Sequence, residues 1–104
     1  MQNISQDQWK KQLESDSHFV ILDVRTPEEC AEGIQKKAQC LNIMDTSVFM
    51  QGLELLDKTK TYYVYCRSGS RSAQACMIMD QMGFNKTYNL IGGMLKWTGE
   101  VEVG

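Results

Sequence analysis

Histidine is almost missing from this chain, which contains His18 alone. The four cysteines are Cys30, Cys40, Cys66 and Cys76. No two of them are spaced as C-x-x-C, and this spacing, with a single histidine, argues against a structural zinc site. Four cysteines in 104 residues are also too few for the disulfide scaffold of a small secreted domain. We therefore expect no metal and no cofactor, and we expect Cys30, Cys40 and Cys76 to be small buried apolar residues.

Long apolar runs and runs of basic residues are lacking as well. No stretch approaches the roughly 20 apolar residues that cross a bilayer, and residues 1–5 contain neither the basic nor the apolar part of a signal peptide. The formal net charge is −2, from 11 basic and 13 acidic side chains, which does not favour a nucleic-acid surface. We expect a cytoplasmic protein with neither nucleic acid nor a membrane as partner.

What the chain does contain is an alternation of strand and helix patterns. Apolar and β-branched runs predict strands at 19–22, 40–43, 61–65 and 87–90. Capping residues and helical spacing predict helices at 5–13, 26–32, 45–56, 72–82 and 94–97. This alternation predicts one α/β domain over residues 1–104, with a mainly parallel sheet of four to five strands and helices on both faces. The tail, residues 98–104, is expected to be loose.

The most informative stretch is the loop of residues 66–72, Cys-Arg-Ser-Gly-Ser-Arg-Ser, between a predicted strand and a predicted helix. The first N–H groups of a helix lack partners within the helix, and its dipole places partial positive charge there, so the loop suits an anion. Gly69 permits a turn that points several N–H groups inward, and Arg67 and Arg71 add positive charge. A thiol in this position loses its proton readily. The loop predicts an activated Cys66 thiolate that faces an anionic substrate.

Three chemistries can use such a cysteine. Transfer of sulfane sulfur needs anion binding and N–H donors but no general acid, because a sulfite-like leaving group departs as an anion. Phosphate or arsenate ester chemistry would need five residues between the cysteine and an arginine, whereas only four separate Cys66 from Arg71. Acyl transfer would need a base, and His18, at the start of a predicted strand, is the candidate. The spacing favours sulfur transfer and leaves open a non-catalytic anion-binding or regulatory module.

Other polar and glycine residues follow the ends of the predicted strands. Asp23 and Arg25 follow the first, and Gly92 and Gly93 follow the last. Ligand sites in parallel sheets lie beyond the carboxyl ends of the strands, so we expect these residues and Cys66 to meet at one edge. Asp23 and Arg25 are candidates for catalysis, but a polar network that holds the strand end is the preferred interpretation.

The chain resembles the single-domain rhodaneses, the thiosulfate sulfurtransferase family, over almost its whole length. The resemblance is carried by Asp-Val-Arg at 23–25, by the C-x-x-G-x-R loop at 66–71 and by the Gly-Gly…Trp stretch at 92–97. It implies that Cys66 forms a persulfide and that Asp23 and Arg25 are a structural polar pair near the site, together with Gly92 and Gly93. The implied contacts of the anionic donor are Arg67, Ser68, Gly69, Ser70, Arg71 and Ser72.

The resemblance also implies an activity and its partners. Sulfane sulfur would pass from thiosulfate or a similar anionic donor, through the Cys66 persulfide, to cyanide, a thiol or a protein acceptor. The alternative is a sulfur carrier or redox-regulatory module that does not turn over on its own; a phosphatase or arsenate reductase type of cysteine enzyme ranks below both.

The chain departs from the family pattern in the segment after the second predicted helix. Gly33 is followed by Ile34 and Gln35, where the family usually has His-Ile; Cys30 stands where an aromatic residue is common, and Lys37 where a glycine is expected. The missing histidine usually holds this connector, so we expect the local packing to differ here and the cysteine loop to be unaffected.

Overall fold

A computed structural model describes residues 1–103 of the chain. The strands are β1 (Gln2–Ile4), β2 (Phe19–Asp23), β3 (Ile34–Gln35), β4 (Ala38–Cys40), β5 (Thr61–Tyr65), β6 (Lys86–Leu90) and β7 (Val101–Glu102). The helices are α1 (Gln6–Ser15), α2 (Pro27–Ala31), α3 (Thr46–Glu54), α4 (Ser70–Gln81) and α5 (Gly93–Lys96). No helix in residues 1–103 is both long enough and apolar enough to cross a membrane.

Five strands form a parallel sheet in the order β1-β6-β5-β2-β4, which confirms the predicted fold class. The strands β2 and β5 lie inside the sheet and carry the continuous apolar runs that the sequence predicts for strands covered on both faces. Asp23 is in register with Tyr65 of β5 and with Cys40 of β4. The carboxyl ends of these three strands therefore lie side by side.

Alternate residues of the central strands divide the core into two layers. On one face, Tyr62 and Val64 of β5 pack with buried residues of α3 and α4. On the other face, Tyr63 and Tyr65 pack with Trp9 of α1, and α5 adds half-buried Met94. Side chains of a strand point alternately to its two faces, so one short run serves both layers. Helices cover both faces, as predicted.

The predictions for the segment after α2 and for the tail are wrong. The strand predicted at 40–43 is β4, Ala38–Cys40, and the predicted connector 34–39 also contains β3. Pairing with β2 sets the bounds of β4, because Ala38, Gln39 and Cys40 lie in register with Ile21, Leu22 and Asp23, the last residues of β2. The tail is not loose, since Val101–Glu102 pair antiparallel with Ile34–Gln35; Gly104 lies outside the described residues.

The expected burial of the cysteines holds for Cys76 only. Cys76 lies in the core between α4 and the sheet, whereas Cys30 is half-buried and Cys40 is exposed. The expectation for Cys40 is wrong because β4 is an edge strand and Cys40 is its last residue. Cys40 is therefore exposed to solvent although cysteine is usually a buried residue type.

Polar contacts hold the segment after α2, in which Gln35 and its neighbours depart from the pattern that the resemblance implies. The buried Arg25 guanidinium donates from Nη2 to Asp23 Oδ2 at 2.6 Å and to the Gly33 carbonyl at 2.7 Å. The Gln35 N–H donates to the Tyr65 hydroxyl at 2.9 Å, and Trp9 Nε1 donates to Gln35 Oε1 at 3.1 Å. Asp23 and Arg25 thus form a buried ion pair that is bonded to the start of the connector, and Gln35 bonds the connector to β5 and α1.

The buried ion pair yields a stability prediction. Asp23→Asn removes the charge that neutralises Arg25, whose side chain is only 6% exposed. An unpaired buried guanidinium is costly, so we expect the free energy of unfolding to fall by about 3 kcal/mol. Urea unfolding followed by tryptophan fluorescence measures the change. The control Asp7→Asn makes the same replacement at an exposed residue and should shift the free energy by less than about 0.5 kcal/mol. Equal effects of the two variants would contradict the prediction.

Candidate active site around Cys66

The thiol of Cys66 lies at the carboxyl end of β5, under the loop that leads into α4. Its Sγ accepts a hydrogen bond from the Gly69 N–H at 3.1 Å and another from the Ser72 N–H at 3.4 Å. The Ser72 hydroxyl lies 3.3 Å from the same sulfur. Gly69 has a φ of 108°, a conformation that glycine adopts readily, and this turn aims the N–H groups at the sulfur. Two N–H groups and one hydroxyl of the loop therefore converge on the thiol itself.

The carbonyls on the outside of the loop bond to α5. The Met94 and Leu95 N–H groups donate to the carbonyls of Cys66 and Arg67, each at 3.0 Å. A Cβ atom added at Gly93 would lie 2.5 Å from both carbonyl oxygens, so only glycine permits this approach. Gly93 therefore lies against the loop, and because it has no side chain, α5 can satisfy the loop carbonyls.

Burial and hydrogen bonding act in opposite directions on the Cys66 thiol. The side chain is fully buried, and burial alone raises the pKa of a thiol. The hydroxyl and N–H of Ser72, together with the N–H groups of Gly69 and Ser68, favour the thiolate and lower the pKa. The donors prevail, so the pKa of Cys66 lies below its ordinary value. Cys76 differs, because burial raises the pKa of its thiol to about 12.

Asn89 is a site residue that the sequence reasoning missed. Its side-chain N–H group donates to the Gly69 carbonyl at 3.1 Å, and its Oδ1 faces the Ser72 hydroxyl. A hydroxyl has one proton, so Ser72 donates either to Asn89 or to the sulfur of Cys66. Ionisation of the thiol favours the second arrangement. Asn89 lies near the carboxyl end of β6 but inside the predicted strand 87–90, so a search for residues that follow strand ends passes over it.

The two loop arginines have different surroundings. Arg67 is exposed and, with Arg25, Glu29 and the α5 residues, lines a cleft of about 250 Å³ beside the loop. Arg71 forms a bidentate ion pair with Glu29 of α2, at 2.7 and 2.9 Å. Hydrogen bonds from Arg71 lower the pKa of Glu29 to about 2, so the pair remains charged at neutral pH. Glu29 and Arg71 are 42 residues apart, and no local pattern of the sequence indicates that they pair.

The remaining predicted residues lie in the loop, directly before α5, or at the far end of the sheet. Ser68 and Ser70 are exposed in the loop, and Gly92 has a φ of 81° as the residue that precedes α5. His18 lies at the other end of the sheet, where its carbonyl accepts from the Thr61 N–H at the start of β5. One strand length, about 16 Å, separates that end from Cys66. His18 therefore cannot act as a base for this thiol.

The Ser72 hydroxyl yields a prediction about the acidity of the thiol. Ser72→Ala removes a donor to the sulfur, so the pKa of Cys66 should rise toward or above that of an ordinary thiol. The pH dependence of iodoacetamide alkylation, read on the tryptic peptide of residues 61–67, measures the pKa of Cys66 alone. Ser70→Ala, an exposed serine of the same loop, is the control and should leave the pKa in place. A pKa that does not change in Ser72→Ala would show that the main-chain donors suffice.

Comparison with known proteins agrees with this arrangement. The model of the Rhodanese-like domain family matches residues 5–100. The chain is 39% identical to YtwF of Bacillus subtilis over 102 aligned residues. This alignment covers 98% of this chain and 95% of YtwF. It is 32% identical over 94 aligned residues to a protein of Allochromatium vinosum named Sulfurtransferase. That alignment covers 90% of this chain and 85% of the relative. The crystal structure of a rhodanese-like domain protein from Staphylococcus aureus superposes with a TM-score of 0.85 at 33% identity, over 100% of this chain and 99% of that one. Both the sequence and the fold therefore show that this chain belongs to the rhodanese-like domain family, which includes sulfurtransferases.

Proposed function

We propose that this protein transfers sulfane sulfur from an anionic donor of the thiosulfate class to a thiophilic acceptor, through a persulfide on Cys66. The observation that carries the proposal is the set of donors on the Cys66 sulfur: two N–H groups and one hydroxyl within 3.4 Å. These groups stabilise a thiolate before the reaction, and the same cradle suits the charged terminal sulfur of a persulfide after it.

In the first step, the Cys66 thiolate attacks the outer sulfur of thiosulfate. An S–S bond forms between the enzyme and that sulfur, the S–S bond of thiosulfate breaks, and its electron pair leaves with sulfite. The enzyme then carries a persulfide anion. Sulfite departs as an anion, so the step needs no general acid, which fits a loop whose hydrogen bonds to the sulfur come from N–H and hydroxyl groups.

In the second step, the acceptor takes the terminal sulfur. Cyanide attacks it, a C–S bond forms, the persulfide S–S bond breaks, and thiocyanate leaves while Cys66 returns to its thiolate. A thiolate acceptor reacts in the same way and becomes a persulfide itself. The N–H groups of Gly69 and Ser72 then stabilise the leaving Cys66 thiolate, so one cradle serves both steps.

The loop length favours sulfur transfer over phosphate or arsenate ester chemistry. Four residues separate Cys66 from Arg71, and the Arg71 guanidinium is engaged by Glu29 rather than held free for three oxygens. The exposed Arg67 beside the cleft is the residue best situated to attract the donor. Cys66 is fully buried, so the donor reaches it when the loop opens toward that cleft.

The persulfide itself provides the first test. Treatment of the protein with thiosulfate should add the mass of one sulfur atom to the tryptic peptide of residues 61–67, and cyanide should remove it as thiocyanate. Cys66→Ser should abolish both. The control Cys40→Ser removes an exposed cysteine elsewhere and should leave both unchanged.

Two outcomes would change the assignment. A wild-type protein that gains no sulfur at Cys66 would refute the proposal. A persulfide that forms but yields no thiocyanate at an appreciable rate would instead assign the domain to sulfur carriage, with a protein as the acceptor.

The ion pair between Glu29 and Arg71 provides the second test. Glu29→Gln removes the charge that neutralises Arg71, while glutamine retains the capping box with Thr26. The freed cation should lower the KM for thiosulfate roughly threefold at low ionic strength, and added salt should reduce the effect. Arg71→Ala leaves the carboxylate unpaired and should raise the KM.

Steady-state assays with thiosulfate and cyanide measure both variants. Glu28→Gln makes the same charge change at the neighbouring exposed residue, which lies outside the ion pair, and serves as the control. A KM that moves in the same direction in Glu29→Gln and Arg71→Ala would contradict an electrostatic role for the pair.

A further inference from the structure

A second pair of thiols lies beside the Asp23 carboxylate, whose ion-pair partner Arg25 lines the cleft next to the Cys66 loop. The thiols of Cys30 on α2 and Cys40 at the end of β4 lie with a carboxylate oxygen of Asp23 in a cluster whose atoms are all within 4.8 Å of one another. Both cysteines are free thiols. They are ten residues apart in the chain and meet at the end of β2, because Cys40 of β4 is in register with Asp23 and α2, which contains Cys30, follows β2 after a short turn.

The carboxylate in this cluster is already occupied. Asp23 Oδ1 accepts from the main-chain N–H and Nε of Arg25 at 3.0 and 2.9 Å, and Oδ2 accepts from Nη2 at 2.6 Å. A carboxylate so engaged by a guanidinium is a poor ligand for a cation, which would also be repelled by Arg25. The cluster is therefore a dithiol rather than a three-ligand metal site.

We propose that Cys30 and Cys40 form a reversible disulfide that ties α2 to β4 and thereby restrains the loop of Cys66. The two sulfurs need to close from at most 4.8 Å to about 2 Å. Cys40 is exposed on an edge strand, so its side chain has room to rotate toward Cys30. Exposure makes Cys40 the thiol that an oxidant reaches, and half-buried Cys30 the thiol that resolves the adduct.

The oxidant is a low-molecular-weight disulfide, such as glutathione disulfide. The Cys40 thiolate attacks one of its sulfurs and releases one glutathione thiolate, which leaves a mixed disulfide on Cys40. Cys30 loses its proton to solvent and attacks the Cys40 sulfur, and the second glutathione thiolate leaves. Burial and the neighbouring Cys40 thiol raise the pKa of Cys30, so this second step is the slower one and is faster at alkaline pH. The two cysteines lose two electrons and two protons, and glutathione disulfide gains them as two thiols.

The restraint follows from the position of Cys30 in α2. The preceding residue, Glu29, holds Arg71 of the Cys66 loop in a bidentate ion pair. Cys66 is fully buried, so any reagent reaches it through a local opening of the loop. A disulfide that fixes α2 stabilises the closed state through Glu29 and Arg71. Its bearing on sulfur transfer rests on the proposed function, but the bond and its effect on loop opening do not.

The experiment treats the full chain with excess glutathione disulfide and follows it by mass. The protein should lose two hydrogen atoms, and a tryptic digest should contain the linked peptides 26–36 and 38–58, which cleavage at Lys36 and Lys37 separates. Cys66→Ser should form the same bond. The Cys40→Ser variant should form no link between these two peptides, although its remaining cysteines can still carry a glutathione adduct. A wild-type protein without the 26–36 to 38–58 link would overturn the proposal.

The effect of the disulfide on opening of the Cys66 loop is measured separately, by alkylation of Cys66. Alkylation of Cys66 by iodoacetamide, read on peptide 61–67, should be several-fold slower in the oxidised protein and should recover on reduction. In Glu29→Gln, which removes the charged link to Arg71, oxidation should slow alkylation much less. An unchanged alkylation rate in the oxidised wild type would overturn the restraint. Neither measurement depends on sulfur transfer, so failure of the proposed function would be recognised separately.

Discussion

The sulfur atom of Cys66 is withdrawn from water and held by the N–H groups of Gly69 and Ser72 and by the Ser72 hydroxyl. Peptide groups can aim their N–H bonds at one atom only if the neighbouring carbonyls find partners elsewhere. The N-terminal turn of α5 supplies those partners, and it can approach only because Gly93 has no side chain. The need to satisfy these carbonyls while the N–H groups point at the sulfur therefore links the end of β5 and the start of α4 to the position of α5.

Two of the three arginines around the loop are neutralised by carboxylates. Arg71 is neutralised by Glu29, and Arg25 by Asp23, which leaves Arg67 as the exposed cation beside the cleft. Oriented N–H dipoles surround the sulfur itself, and preorganised dipoles of this kind stabilise a negative charge with little reorganisation. The short helix α2 provides the acidic partner for Arg71 and so connects the loop to the edge of the sheet.

The four cysteines illustrate how the environment determines thiol chemistry. Donors lower the pKa of Cys66 although it is buried, whereas burial without comparable donors raises the pKa of Cys76 to about 12. Cys30 and Cys40 lie together at an edge that packing leaves open. Reactivity in this protein is therefore assigned by hydrogen bonding and access, and the residue type alone does not predict it.

Much of the fold and the centre of the site follow from local sequence. Strand and helix patterns, capping residues and the Cys66–Arg71 loop are short-range features, and a parallel sheet with Cys66 at its carboxyl edge follows from them. The tertiary structure alone decided the bounds of β4, the pairing of the tail with β3, the partner of Arg71, the role of Asn89 and the meeting of Cys30 with Cys40. Each of these depends on contacts between residues far apart in the chain or on which strand forms the edge of the sheet. Local periodicity carries no information about such contacts, because they are set by how the completed elements pack.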